Sequence, residues 1–254
     1  MPDSKYCYPN TDVLKNKLNI KNAQTLFKAE ERLTSLRLQE LQDKPISGKF
    51  DFEHLKKIHE YVFQDLYDWA GKSRTVDIGK GNLFCTVPCI ESYAISVFNK
   101  YYKQCYESKN DFDKFIEVLA ENYGDLNALH PFREGNGRTQ REFARELCLI
   151  CGYDFDLSCS THKEMLEASI YSFNTGDSSK LRVIFKKAIT PYDSLKQDKS
   201  TNLKILSMDD LMLGAIDEYA YYEYTEYSNI EMYNEIYKEK INKMDSKKKE
   251  SRGN

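Results

Sequence analysis

The sequence predicts a mainly α-helical fold: a helical bundle with one β-hairpin and a C-terminal helical appendage. Three observations lead there. The 254 residues hold only 11 glycines and 6 prolines, well under the usual share of helix breakers. Apolar residues recur at three- and four-residue spacing along most of the chain. One short stretch, and one only, has the texture of paired strands around a glycine turn. A chain of this length can bury a real core without disulfides.

Asn22 to Leu41 reads as the first amphipathic helix, with Leu26, Phe27, Leu33, Leu36 and Leu38 near helical spacing. Residues 1–21 precede it as an N-terminal extension. Asp51 to Asp68 repeats the pattern through Leu55, Ile58, Val62, Phe63 and Leu66. Between Arg74 and Val87 the texture changes. Residues 75–78 and 83–87 read as strands flanking Gly79-Lys80-Gly81-Asn82. Helices resume from Ile90 to about Tyr106 and from Asp111 to Leu129. The latter carries Phe112, Phe115, Ile116, Leu119, Tyr123 and Leu126 on one face. Pro131 stops it, because proline disfavours helical geometry in the residue before it. A further helix is expected from near Arg138 to Ile150, ended by Gly152, with two more over 161–174 and 177–188. The core then spans 22–190, followed by a polar linker over 191–206. Ser207 to Asp210 resembles a capping box, opening a helix that continues to about 245. Residues 246–254 form a charged tail without the composition to order itself.

Several function classes fall away on composition. Apolar runs stay far below the ~18 residues of a membrane span. The first ten residues, MPDSKYCYPN, lack the build of a signal peptide. Seven scattered cysteines argue against a disulfide framework and for a reducing compartment, so a cytoplasmic location is expected. A net charge of −3 offers no basic field for nucleic acid.

Chemistry concentrates in His130-Pro-Phe-Arg-Glu134-Gly135-Asn136-Gly137-Arg138-Thr-Gln-Arg141. A Gly-x-Gly turn opening a helix converges backbone N–H groups on an anion, aided by the helix dipole. Arg138 and Arg141, three apart, are expected to project from one side and suit phosphate oxygens. Glu134, just before the turn, is placed to hold Mg²⁺ against those phosphates. His130 is the one group in the cluster able to titrate near neutrality. Together these describe transfer of a phosphorus group from a nucleotide. No Gly-Lys-[Ser/Thr] follows the glycines, so this is no P-loop, and protein-kinase motifs are missing. A plain helix–turn–helix corner would need none of the His, Glu and Arg side chains.

HPFREGNGRTQR resembles the Fic motif, H-P-F-x-[D/E]-G-N-G-R-x-x-R, at every fixed position. The segments AEERLTSLRLQEL, IHEYVFQDLYDWAGKSR, GKGNLF and TGDSSKLRVIF extend the likeness over about residues 20–190. The resemblance implies the helical Fic fold with its hairpin "flap", and AMP transfer from ATP to a protein hydroxyl. It casts His130 as general base and Glu134 as Mg²⁺ ligand. Gly135, Asn136 and Gly137 would form the anion hole, Arg138 would contact the phosphates, and Arg141 would hold the γ-phosphate. Lys80 and Phe84 on the flap would touch the target. Family members that phosphorylate depart from this glycine pattern, which favours AMP transfer here. The implied partner is a target protein with a Tyr, Ser or Thr hydroxyl, with self-modification and a homo-oligomer as candidates. AMP removal through the same site, and a catalytically quiet nucleotide-binding module, are the competing readings.

Some Fic proteins carry an inhibitory helix, typically [S/T]-x-x-x-E-[G/N], whose Glu pairs with the second motif arginine. Here the C-terminal segment IDEYAYYEYTEY offers Glu223, although Tyr219 and Tyr224 stand where that pattern has other residues. A separate inhibitory chain is the alternative. Cys148-x-x-Cys151 and Cys85-x-x-x-Cys89 read as small buried thiols rather than zinc ligands. His59 reads as structural, and His54 and His162 as surface or capping residues.

Overall fold

A computed structural model of the chain describes residues 5–80 and 82–192. Most of the expected linker, the C-terminal helix, the tail and Glu223 lie outside the described residues. Helix starts are set by local chemistry. The Asn22 side chain accepts from the Thr25 amide to open α1 (Ala23–Asp43), and Asp51 does the same for α2 (Phe52–Phe63) through His54. Asp111 opens α4 (Phe112–Leu129) through Lys114. Thr161 and Glu164 form a reciprocal capping box at α6 (His162–Thr175). Each such cap is worth about 1 kcal/mol. The remaining helices are α3 (Ile90–Ser108), α5 (Asn136–Ile150) and α7 (Ser179–Ala188).

The helix α4 is the hub, packed against α3, α5, α6 and α7. The sequence suggests one apolar face, yet Phe115, Ile116, Val118, Leu119 and Ala120 are all buried, with only Glu117 among them half-exposed, because neighbours enclose the helix. Each large side chain so buried contributes roughly 1.5–3 kcal/mol. The helix α2 packs on α1 and α5. Residues 5–21 pack onto the same core through Tyr6, Cys7, Val13 and Leu14. The Lys17 amide donates to the Leu66 carbonyl at 2.8 Å. Among the described residues no helix is long and apolar enough to cross a membrane.

Three expectations need correcting. The hairpin ladder is far shorter than residues 75–87: β1 (Gly79–Lys80) pairs antiparallel with β2 (Asn82–Leu83), Gly79 facing Leu83 and Lys80 facing Asn82. Its stems are held instead by side chains, with the Val87 amide donating to Asp77 Oδ1 at 2.7 Å. A second small sheet joins β3 (Tyr153–Phe155) to β4 (Ile189–Pro191), antiparallel. Three residues per strand give too little alternation to read. In α1 the inward face is Leu26, Glu30, Thr34 and Leu41, while Leu36 is 52% exposed. Two polar residues occupy core positions there and shift the apparent apolar stripe.

Candidate active site

The site forms where α4 ends and α5 begins. His130 caps α4 in the left-handed conformation, φ 42° and ψ 60°, which costs a non-glycine residue roughly 1–2 kcal/mol. Its ring Nδ1 lies 3.1 Å from the Asn127 carbonyl oxygen. A carbonyl only accepts, so that geometry places the proton on Nδ1 and leaves Nε2 as the basic nitrogen. The Phe84 ring lies flat on the imidazole, 3.8 Å between centroids and 9° from parallel. Phe84 is therefore buried against His130. Leu83 beside it is 64% exposed. Lys80 lies in β1.

The turn between the helices is pinned from several sides. Asn136 Oδ1 accepts from the Phe132 amide and its Nδ2 donates to the Phe132 carbonyl, both at 2.9 Å. The buried Phe132 ring stacks on His59 at 3.8 Å. His59 accepts from the Gly71 amide at Nδ1 (2.8 Å), so its Nε2 bears the proton and donates to the Glu134 carbonyl (3.0 Å). The structural reading of His59 thus stands. Gly135 has φ +80°, and a Cβ there would lie 2.1 Å from Phe63 Cζ. Only glycine meets both conditions. The helix α5 begins at Asn136, two residues earlier than expected, so Asn136 and Gly137 form its first turn. A helix cannot satisfy its first-turn N–H groups internally, and these sit at the wall of one cavity.

That cavity is lined by His130, Glu134, Gly135, Asn136, Gly137 and Arg141. The Glu134 carboxylate accepts from the Gly135 amide at 3.1 Å. Arg138 is the motif residue the structure sets apart. Its Nη2 lies 2.5 Å from Glu30 Oε1 and its Nη1 donates to Thr34 Oγ1 at 3.1 Å, both on α1. The guanidinium also lies over the Phe63 ring, 4.7 Å from its centroid. The two arginines therefore diverge, Arg138 toward α1 and Arg141 toward the cavity, against the expectation of one shared side. Arg138 still reaches Glu134, with Nη2 3.7 Å from Oε1. Behind it the Tyr67 hydroxyl donates to Glu30 Oε2. Burial, and then the Glu30 carboxylate, holds that phenol well above its ordinary pKa.

Sequence reasoning missed the facing wall. It comes from α6: His162, Met165, Leu166 and Ser169. His162 is buried, not superficial, because α6 packs on α4. The one available signal was its place just after the Thr161 cap. His54 is also buried; its Nε2 lies 3.1 Å from Glu146 Oε2. Arg74 was missed as well. Its guanidinium is buried and donates to the carbonyls of His130, Val76 and Cys85. Burial lowers its pKa, though an arginine stays charged. Cys148 and Cys151 are buried as expected, whereas Cys89 is exposed, since it ends a short surface turn.

Comparison with known proteins places the chain in a family. The Fic/DOC family model matches residues 49–148. Protein adenylyltransferase VbhT of Bartonella schoenbuchensis is 38% identical over 210 residues, 81% of this chain and 44% of VbhT. The chain thus spans less than half the length of that relative. A second relative, named "Probable protein adenylyltransferase Fic" from Escherichia coli K12, is 34% identical, covering 73% of this chain and 92% of the relative. Among solved structures, the N-terminal Fic domain of a VirB-translocated Bartonella quintana effector, with bound ADP, aligns at TM-score 0.71 and 28% identity. That alignment covers 78% of this chain and 100% of the other.

Proposed function

The chain belongs to the Fic/DOC family, and on that premise we propose that it is a protein adenylyltransferase moving AMP from ATP to a hydroxyl of a target protein. The observation that carries this reading is one cavity holding both His130, with Nε2 as its basic nitrogen, and the N-terminus of α5. Nε2 takes the proton of the target hydroxyl. The oxygen attacks the α-phosphorus, an O–P bond forms, the bond to the β-phosphate's bridging oxygen breaks, and pyrophosphate leaves. The first-turn N–H groups at Asn136 and Gly137 are fixed dipoles for the phosphate charge that develops. Arg141 adds a cation on the same wall and, on this reading, takes the γ-phosphate. Arg138 acts from behind, holding Glu134 and the first turn of α5 in place.

Mg²⁺ fits the donor set. Among the described residues no group of three or more His, Cys, Asp or Glu side chains makes a cage. Mg²⁺ instead takes one or two carboxylates and completes its shell with water and substrate phosphates. Glu134 would be that carboxylate, and the ion would neutralise phosphate charge. The flap offers the target a short strand edge at β1 and β2, where Lys80 and the exposed Leu83 can register a peptide by main-chain pairing. Glu223 is assigned the inhibitory role, on its place in the sequence, by pairing with Arg141 across the γ-phosphate position. The tyrosines around it are candidate self-acceptors.

The test is label transfer from ATP carrying ³²P at the α- or the γ-phosphate, using wild type, His130→Ala and Glu223→Gly with a cell lysate as acceptor. The expected result is label from the α position alone. It falls at least ~100-fold in His130→Ala and rises in Glu223→Gly. Label from the γ position would make the protein a kinase. No label even from Glu223→Gly would favour AMP removal or a quiet binding module.

A further inference from the structure

We infer that Arg74 is the positioning residue that couples the flap to His130. Its side chain is among the largest fully buried ones in the protein, at 1% exposure. It spends its donors on backbone carbonyls from three separate segments. Nε donates to His130 O at 2.9 Å, Nη1 to Val76 O at 2.9 Å, and Nη2 to Cys85 O. Its own amide donates to Pro131 O at 2.8 Å. Val76 and Cys85 are the two stems of the flap. One planar group thus grips both stems and the backbone of the residue assigned as base.

The flap needs such a grip. A ladder of two residues per strand cannot fix its own orientation, since isolated hairpins are at best marginally stable. Phe84 precedes Cys85, the residue whose carbonyl Arg74 holds, and its amide donates to Ile78 O at 3.2 Å. The Phe84 ring then lies flat on His130. The same guanidinium meets His130 from its other end, at the carbonyl of a residue in left-handed geometry. One cation and the stem it holds thus act on both the backbone and the ring of His130, beside the Asn127 carbonyl that meets its Nδ1. The charge of Arg74 is met by Asp77, 3.7 Å away, whose other contact is the Val87 amide on the far stem. Lysine cannot replace this arrangement. It is a compact point charge without the planar fork that reaches three diverging acceptors. A target that pulls on the flap would move Cys85, and through Arg74 and Phe84 it would move the imidazole.

This inference rests on His130 being the base, so the experiment separates the two. The 254-residue wild-type chain, Arg74→Lys, Arg74→Met and His130→Ala, each with and without Glu223→Gly, are compared in three measurements: AMP-transfer rate at saturating ATP, ADP affinity by calorimetry, and the ring-proton NMR shifts of His130. The last are assigned by their loss in His130→Ala, and the Phe84 face holds them upfield in wild type. Arg74→Met is expected to lose about 100-fold in rate, the scale of a misplacement near 1 Å, with ADP affinity within about threefold and His130 shifts moved toward free histidine. Arg74→Lys, which keeps the charge, is expected to recover about tenfold of that loss. If Arg74→Met does not fold, Arg74→Lys alone decides. A slower rate with moved ring shifts and intact ADP binding supports the coupling. Wild-type rate, unmoved ring shifts, or a rate loss matched by lost ADP affinity overturns it. No AMP transfer even with Glu223→Gly defeats the proposed reaction instead, and the ring shifts then still decide whether Arg74 places the imidazole.

Discussion

Glu30→Ala is expected to destabilise the protein by about 3–5 kcal/mol, although Glu30 lies outside the His130–Arg141 segment. The Glu30 carboxylate is 5% exposed, lies 2.5 Å from Arg138 Nη2, and accepts from the Tyr67 hydroxyl with its other oxygen. Removing it leaves the Arg138 cation buried without its closest counter-charge, and breaking a buried pair from one side costs roughly 3–5 kcal/mol. Tyr67 also loses its acceptor, worth about 1–3 kcal/mol when no water replaces it. The two losses overlap, because a water entering the space left by the side chain can serve both. In a unit of this size, 3–5 kcal/mol corresponds to a melting temperature lower by ~6–20 °C. Glu30→Gln keeps an acceptor in place and should lose about 1–2 kcal/mol. Urea unfolding followed by far-UV circular dichroism measures these differences, provided the slope stays constant across variants. A double-mutant cycle with Glu30→Leu and Arg138→Met checks the cause: the double variant should be more stable than the two single losses added together. A Glu30→Ala loss below ~1 kcal/mol, or strict additivity in the cycle, would refute the view that this pair anchors the α5 turn.

Gly135→Ala should cost roughly 2–4 kcal/mol from its left-handed φ and the collision with Phe63, and should abolish ADP binding. Calorimetry and urea unfolding check both, and unchanged ADP affinity would count against α5 as the anion site. Thiol alkylation should proceed at Cys89 and Cys159, which are exposed, well before Cys105, Cys148 and Cys151. Burial pushes the Cys151 thiol up to about 11. The unfolded chain releases that proton first, so stability should decline as pH rises from about 8.5 toward 11. Mass mapping of alkylated peptides at pH 9, together with urea unfolding across that window, reads this directly. Early labelling of Cys151 would contradict its placement.

What was legible in the sequence was what local chemistry decides. Asn22, Asp51, Asp111 and Thr161 each satisfy a nearby amide within their own segment, and the helices start where those residues stand. The residues of the candidate site could be picked out together because they are consecutive and a Gly-x-Gly turn has few alternatives. The gaps share a cause, which is dependence on partners far along the chain. Glu30 and Thr34 look like solvent-facing positions until Arg138, more than a hundred residues later, arrives against them. His162 reads as part of a cap because only the packing of α6 on α4 turns it into a cavity wall. The flap stems carry a strand-like composition, yet side chains of Arg74 and Asp77 bond them where the ladder does not reach.

The anchors around the site explain why the motif holds two arginines with different surroundings. A phosphate site made of backbone N–H groups works through dipoles that do not reorient during the reaction, so the first turn of α5 must be immobile before substrate arrives. Arg138 supplies that from the α1 side, held between Glu30 and Glu134. Asn136 and His59 supply it from below through Phe132 and Glu134. Arg141, one turn further along, stays on the cavity wall, where its charge can meet a ligand. His130 is fixed by other contacts, through Arg74, Asn127 and Phe84. His130 and the first turn of α5 are thus located by separate sets of bonds, joined by residues 131–135, of which Phe132 is buried in the core. With both ends fixed independently, their separation is a property of the fold and need not be assembled by the nucleotide.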